Sequence, residues 1–151
     1  MTTTQRAHLI TGGFPPGSAA GHDMDYARLQ LLQQLQAREH LAVTVANDFQ
    51  DIERWLPGTD FLITYVAGPY PVGTGNAALL DWLAKGGRWF ALHGTSGGKA
   101  VKGERDGLTV KKMVKAEHHR ILGCFFLNHP PLCEFQVSVT ADHPVPRGLP
   151  K

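Results

Sequence analysis

The sequence lacks the features that would assign it to several large classes of protein. It contains no run of 18 or more apolar residues, and its start has neither the basic leader nor the apolar stretch of a secretory signal, so we expect a cytoplasmic protein without membrane contact. The net charge of +2 is too small to indicate a nucleic-acid partner. With 151 residues and 42% hydrophobic content, the chain fits a single globular domain over residues 1–151.

Cofactor and metal motifs are also absent from the sequence. The two cysteines, Cys124 and Cys133, form no C-x-x-C pair, so we expect neither a disulfide nor a cysteine zinc site and predict that both are buried. Prolines follow Gly12 and Gly13 where a dinucleotide site needs a helix, which excludes a nicotinamide cofactor there. The eight histidines match no compact metal motif, so we assign no metal ligand, although a divalent metal stays an open alternative and the cofactor is unknown.

Short apolar segments alternate with amphipathic helical segments along the first two thirds of the chain. Strands that are apolar on both faces predict a parallel sheet covered by helices on both sides, the doubly wound α/β arrangement. The alternating segment CEFQVSVTAD, from residue 133, is expected to add a half-exposed strand. The predicted parallel strands are 7–12, 41–46, 60–66 and 88–92.

Capping residues and apolar spacing place the two longer helices. Asp23 is expected to cap a helix that ends near Glu39, and Thr74 to cap a second helix that ends at Lys85 before Gly86. The first helix carries an apolar stripe with a spacing of three, formed by Tyr26, Leu29, Leu32 and Leu35.

The segment from Lys99 to Arg120 is the most basic part of the chain, with seven basic residues against three acidic ones. Such a segment could attract a polar or anionic ligand, but a solvated surface is the simpler interpretation. Because it also contains Gly103 and Gly107 and few anchoring residues, we predict a mobile loop over 99–115.

The most informative stretch is RWFALHGTSGG, in which a short strand stops at His93 and small residues follow. Sharp turns at strand ends present reactive side chains in several α/β enzymes, and ligands bind beyond the carboxyl ends of parallel strands. An imidazole titrates near neutrality, which suits acid–base catalysis, and the amides after the turn could stabilise a developing negative charge. The loops at these strand ends contribute His22, Asp23, Tyr70, His93, Thr95 and Ser96.

Four segments together resemble the ThuA-like family, which is named for trehalose utilisation. They are GHD in the first loop, WLAKGGRWFALHG, HHRILGCFFLNHPP and FQVSVTADHPVPRGLP. The resemblance implies the fold of class I glutamine amidotransferases, a flavodoxin-like three-layer α/β/α sandwich with a mostly parallel sheet. Amidotransferases carry a cysteine nucleophile at the turn where this chain has His93, so glutamine hydrolysis is not expected.

The same resemblance implies a role in sugar metabolism. We expect a lyase, isomerase or hydrolase that acts on a keto- or oxidised glycoside, with a small-molecule sugar ligand and a histidine acid–base; the alternative is a non-catalytic domain that binds carbohydrate or a partner protein. The candidate catalytic residues are His93, His22 and His129, and the candidate substrate-binding residues are Asp23, Tyr70, Gly94, Thr95, Ser96, His119, Asp142 and His143.

Two departures from the family pattern shape further expectations. ThuA-like domains usually continue beyond the DHPxxxGL segment, whereas this chain stops at Lys151, so we expect a domain truncated at its C-terminus. Apolar residues exposed by truncation would favour self-association, which makes a homodimer our expectation. The basic insert before His118 and His119 is the second departure.

Overall fold

A computed structural model describes residues 3–14, 22–131, 133–140 and 142–148. The described elements in chain order are β1 (Gln5–Gly12), α1 (Met24–Gln36), β2 (Leu41–Ala46), α2 (Ile52–Trp55), β3 (Phe61–Val66), α3 (Thr74–Ala84), β4 (Arg88–Leu92), a 3-10 turn (His93–Ser96), β5 (Lys99–Arg105), β6 (Leu108–Val114) and α4 (His118–Leu122).

The four predicted strands form one parallel sheet in the order β2-β1-β3-β4. Ile10 of β1 lies beside Ala46 of β2 on one side and beside Thr64 of β3 on the other. The chain therefore moves from β1 to one neighbour and then crosses to the other, which creates a topological switch point next to β1. The predicted mostly parallel α/β architecture is confirmed.

Helices lie on both faces of this sheet, which gives three layers. Alternate residues of β1 point to opposite faces, so Ile10 packs toward α2 and α3, whereas Thr11 accepts hydrogen bonds from Arg28 of α1. The larger half of the core is the α2–α3 face, formed by Ile10, Phe49, Ile52, Leu56, Leu62, Val66, Leu79 and Trp82.

The α1 face is more thinly covered than the sequence pattern predicted. In β3 the residues that face α2 and α3 are buried, but Phe61, Ile63 and Tyr65 on the opposite face are only half-buried, and Phe90 of β4 is 56% exposed. Because α1 contacts β1 and β2, it leaves β3 and β4 partly open on this side. The expectation that all four strands are buried on both faces is therefore wrong.

Helix α1 begins as predicted, but its apolar stripe was misread. The side chain of Asp23 accepts a hydrogen bond from the backbone N–H of Tyr26, so it is the N-cap. Tyr26 and Leu29 are 61% and 52% exposed, because a spacing of three residues drifts by about 60° per step around a helix of 3.6 residues per turn. The helix ends at Gln36, three residues before the expected position.

The second predicted cap, unlike the first, is displaced. Gly73 occupies the N-cap position of α3, and Thr74 is the first helical residue, without a side-chain capping bond. Gly86 follows the helix end with a φ of 93°, the left-handed conformation expected after a helix.

The predicted mobile loop over 99–115 is instead an antiparallel hairpin of β5 and β6. Asp106 and Gly107 form its two-residue turn, with φ angles of 54° and 76°, and Asp-Gly is a strong signal for such a turn. The predicted irregular loop is therefore wrong, because the Asp-Gly turn signal outweighs the charge of the segment, whereas its mobility stays a prediction. Lys102 and Lys111 lie directly opposite each other in the hairpin, so part of the basic charge is concentrated on one of its faces.

The segment after α4 also differs from expectation. Residues 133–140 form no strand, and Phe135 and Val137 are 80% and 76% exposed. Cys124 and Cys133, predicted to be buried, are exposed free thiols, because neither belongs to an element that packs on the sheet. Among the described residues, none of the helices has both the length and the apolar character needed to cross a membrane.

Candidate functional site

The turn after β4 holds His93 in an unusual backbone conformation. We call the 3-10 turn His93–Ser96 together with Gly97 the His93 turn. His93 has a φ of 41°, in the left-handed region that side chains other than glycine rarely adopt. Thr95, which is fully buried, anchors the turn to β3: its hydroxyl donates to the carbonyl of Thr64 and accepts from the N–H of Val66. Backbone strain held by such an anchor is a feature of functional sites.

Three aromatic side chains meet at this edge of the sheet. The imidazoles of His22 and His93 lie 4.8 Å apart between ring centroids, and the ring of Tyr65 lies 5.7 Å from that of His93. The Nδ1 atom of His22 is 3.1 Å from the hydroxyl of Tyr65, and Phe14 stacks on the other side of the His22 ring. The segments that follow β1 and β4, together with the end of β3, thus place the two imidazole rings within the reach of one small ligand.

The surroundings of His93 keep its imidazole neutral over a wider pH range. Partial burial lowers the pKa of His93 most, and the charges that His22 and His129 would carry lower it further. His129 itself is exposed, with Nδ1 2.8 Å from the carbonyl of Pro130. At neutral pH, His93 is therefore an unprotonated imidazole that can accept a proton.

A cleft of about 450 Å³ opens beside this cluster at the carboxyl ends of β1 and β2. Arg28 lies in its wall and is held by three bonds of 2.6 Å, two to Thr11 and one to the side-chain oxygen of Asn47. No carboxylate among the described residues lies within ion-pair distance of Arg28. The cleft is lined by Thr11, Gly12, Gly13, Phe14, Met24, Asp25, Arg28, Asn47, Asp48 and Pro69.

Four other candidate residues lie outside the ring cluster and make hydrogen bonds within the protein. Tyr70 and His119 lie behind the His93 turn, where their polar atoms contact its backbone carbonyls, and His119 is only 1% exposed. Ser96 donates its hydroxyl to the carbonyl of His93. Asp23 caps α1, so its carboxylate already has a backbone partner.

The C-terminal candidates have no described hydrogen bond or ring contact with this cluster. Asp142 and His143 are exposed, and His143 accepts a bond from the N–H of Val145. Gly94 belongs to the turn itself, where a Cβ would come within 2.8 Å of the carbonyl oxygen of Val66. Residues 15–21, which were expected to form one wall of the site, lie outside the described residues.

Sequence reasoning missed several residues that line the cleft. Asn47 and Asp48 directly follow β2, so the strand-end rule that selected His93 would also have selected them. Tyr65 is the next-to-last residue of β3 and could have been found in the same way. Arg28 carried no local signal, because its position depends on how α1 packs against β1.

The fold and this edge of the sheet define a three-layer α/β protein with an imidazole pair beside a polar cleft at its switch point. In the part of the chain that the structure describes, no group of three or more His, Cys, Asp or Glu side chains could hold a metal ion. Comparison of the chain with protein-family models, curated proteins and solved structures finds no match.

Proposed function

We propose that this protein is a carbohydrate-active enzyme, a lyase, isomerase or hydrolase of a keto- or oxidised glycoside, in which His93 is the general acid–base. The observation that carries the proposal is the pairing of His93 with His22 at a distance of 4.8 Å, in a turn that closes the carboxyl end of a parallel strand. The substrate class comes from the sequence resemblance to ThuA-like proteins.

In this function, His93 transfers a proton to or from the carbon next to a carbonyl group of the substrate. The lowered pKa of His93 keeps it neutral at pH 7, so its imidazole can take this proton and become imidazolium. Return of the proton to a neighbouring atom gives isomerisation, and departure of a β-alkoxy group, which takes up a proton, gives elimination. The nearby Tyr65–His22 pair offers a second polar group for the substrate oxygen.

The charges in the neighbouring cleft favour a neutral polyhydroxylated ligand. Its ionised side chains are one cation, Arg28, and two anions, Asp25 and Asp48, so a further anion would meet net repulsion. Sugar hydroxyls both donate and accept hydrogen bonds, which matches a lining that contains both carboxylates and a guanidinium. A volume of about 450 Å³ lies in the range of small-molecule sites.

The test measures hydrogen–deuterium exchange at the carbon next to the carbonyl of a methyl keto-glycoside. The exchange is followed by proton NMR in heavy water as the signal of that hydrogen disappears. We expect exchange with the wild-type protein and a rate about a hundredfold lower with His93→Asn, because Asn cannot transfer the proton. Asn tolerates the left-handed backbone of position 93, so the melting temperature should change little.

His40→Asn is the matched control for this experiment. His40 is exposed and also has a positive φ, 63°, but it lies before β2 at the opposite edge of the sheet. The control should retain wild-type exchange and stability. Equal losses in both variants, or loss of folding in His93→Asn alone, would contradict the catalytic role.

The polar cleft also supports the second candidate function, a carbohydrate-binding domain without catalysis. Binding of a sugar in this cleft does not require the imidazoles of His22 and His93. In that case the wild-type protein would bind the glycoside without exchange, and His93→Asn would bind it equally well. Asp48→Asn should weaken binding under either function, since Asp48 lines the cleft.

A further inference from the structure

The four backbone carbonyls that follow His93 each face a polar hydrogen donor from outside the turn. Three side chains supply these donors, and two of them are adjacent in α4. The contacts are the Tyr70 hydroxyl to the Gly94 oxygen at 2.9 Å, His118 Nε2 to the Thr95 oxygen at 3.1 Å, and His119 Nε2 to the oxygens of Ser96 at 3.1 Å and Gly97 at 2.8 Å.

The surrounding bonds determine which nitrogen of each ring carries its hydrogen. Nε2 of His119 faces the carbonyl oxygens of Ser96 and Gly97, so it carries a hydrogen that points to the turn, while Nδ1 lies 2.8 Å from the backbone nitrogen and 3.0 Å from the carbonyl oxygen of Ala116. His118 donates from Nε2 in the same way, and its Nδ1 is buried without a partner among the described residues. Both rings therefore donate from Nε2 to carbonyls of the turn.

The three rings pack against one another, with both imidazoles buried and Tyr70 half-buried. Tyr70 and His118 are stacked at 4.4 Å with an interplanar angle of 14°, and the centroids of His118 and His119 are 3.9 Å apart. Phe125 packs edge-on against His119 at 4.6 Å. Because His118 and His119 are 0% and 1% exposed, a shift of one ring would displace its neighbours.

We infer that Tyr70, His118 and His119 are positioning residues, which clamp the carbonyls of residues 94–97 so that the imidazole of His93 is held beside that of His22. The inference rests on the proposed function only for the reason why His93 is held beside His22. The position of His93 itself can be measured without a substrate.

An arrangement that served packing alone would not need these donors. Nδ1 of His118 is a buried acceptor without a partner among the described residues, which is destabilising, and an apolar ring in its place would avoid that cost. The apolar ring would, however, leave the carbonyl of Thr95 without its donor. The His93 turn also lies in direct contact with these side chains, since a Cβ on Gly97 would come within 2.8 Å of the Tyr70 hydroxyl oxygen.

The test compares His119→Leu with His8→Leu. His8 is likewise a buried imidazole, 1% exposed and stacked on Trp55, but it lies in β1 away from the His93 turn. Both variants should lower the melting temperature. Only His119→Leu should remove the NOE between the His22 and His93 rings and raise the NMR-measured pKa of His93, because burial and proximity to His22 are what lower it.

Conservative variants separate the donor from the ring. His119→Gln carries an amide N–H that can reach the same carbonyls, so it should retain the NOE. Tyr70→Phe keeps the stacked ring and removes only the bond to Gly94, so it should raise the pKa of His93 less than His119→Leu does. If His119→Leu does not fold, Tyr70→Phe decides the question by itself, and an unchanged pKa of His93 there overturns the inference.

Kinetics distinguish this inference from the proposed function. If exchange occurs, His119→Leu should lower kcat about tenfold with KM within twofold of wild type, since the cleft is not altered. If the wild-type protein shows no deuterium exchange but His119→Leu still loses the NOE between the His22 and His93 rings, the positioning role is supported and the proposed enzymatic function is refuted. Identical NOE and pKa values in His119→Leu, His8→Leu and wild type would overturn the clamp and leave the His93→Asn result standing.

Discussion

Acidification is expected to weaken the fold through the buried side chain of His118. This residue is 0% exposed and donates from Nε2 to the carbonyl of Thr95. Burial, together with the neighbouring His119, lowers the pKa of His118 to about 4. A second hydrogen on Nδ1 would find no acceptor among the described residues, so protonation is costly in the folded state.

The sign and size of the effect follow from the two pKa values. An unfolded imidazole, with a pKa of about 6.5, takes up its proton before the folded one does, so stability falls as the pH drops below about 6.5 and levels off near 4. At about 1.4 kcal/mol per pKa unit, the complete loss is about 3.5 kcal/mol, and about 2 kcal/mol of it is reached by pH 5.

Urea unfolding at pH 7.5 and pH 5.0 measures this difference. In His118→Phe the aromatic ring can still stack on Tyr70 but cannot titrate, so the stability lost between the two pH values should be smaller than in wild type by about 2 kcal/mol. His8, whose pKa is also lowered by burial, remains in both proteins and lies away from the His93 turn, so its contribution cancels in the comparison.

Leu79→Ala controls for destabilisation as such. Leu79 is 0% exposed in the core, and its truncation should cost about 2–5 kcal/mol while the full pH dependence remains. If His118→Phe loses as much stability on acidification as wild type does, His118 is not the neutral buried imidazole described here, and the reasoning is refuted.

Two further predictions concern local structure. Asp23→Ala should reduce the stability of the protein by about 1 kcal/mol in urea unfolding, because the N-cap bond to Tyr26 is lost; Asp23→Asn should retain it, and equal losses would contradict the capping role. Gly107→Ala should weaken the β5–β6 hairpin by about 1 kcal/mol through strain at its positive φ, seen as weaker cross-strand NOEs. Gly103→Ala, within β5 where a Cβ has room, should leave those NOEs in place, and a reversed order would count against the turn assignment.

The parallel sheet was predictable because its signals are local. The strand segments are short and apolar, and three of the four contain β-branched residues. The helices between them exclude hairpins, so parallel pairing follows from connection length alone. The cap at Asp23 and the strand end at His93 were predictable for the same reason, since each depends on a few adjacent residues.

Errors arose where local signals competed or where packing decides. In the basic segment, charge and glycine content outweighed the Asp106-Gly107 turn signal, and a hairpin was read as a loop. The alternation of residues 133–140 satisfies the pattern of a strand, but a strand also needs a neighbour to accept its hydrogen bonds, and the described structure provides none there.

The sequence by itself determined the strands, their parallel orientation and the placement of His93 at a strand end. Only the tertiary structure decided that His22 and Tyr65 would join His93, that Arg28 would line a cleft, and that His118 and His119 would lie behind the turn. These partners are separated from His93 by more than twenty residues along the chain, and their meeting depends on strand order and on the faces that α1 and α4 present. Distances of this kind are set by packing across the sheet, which periodicity and spacing do not encode.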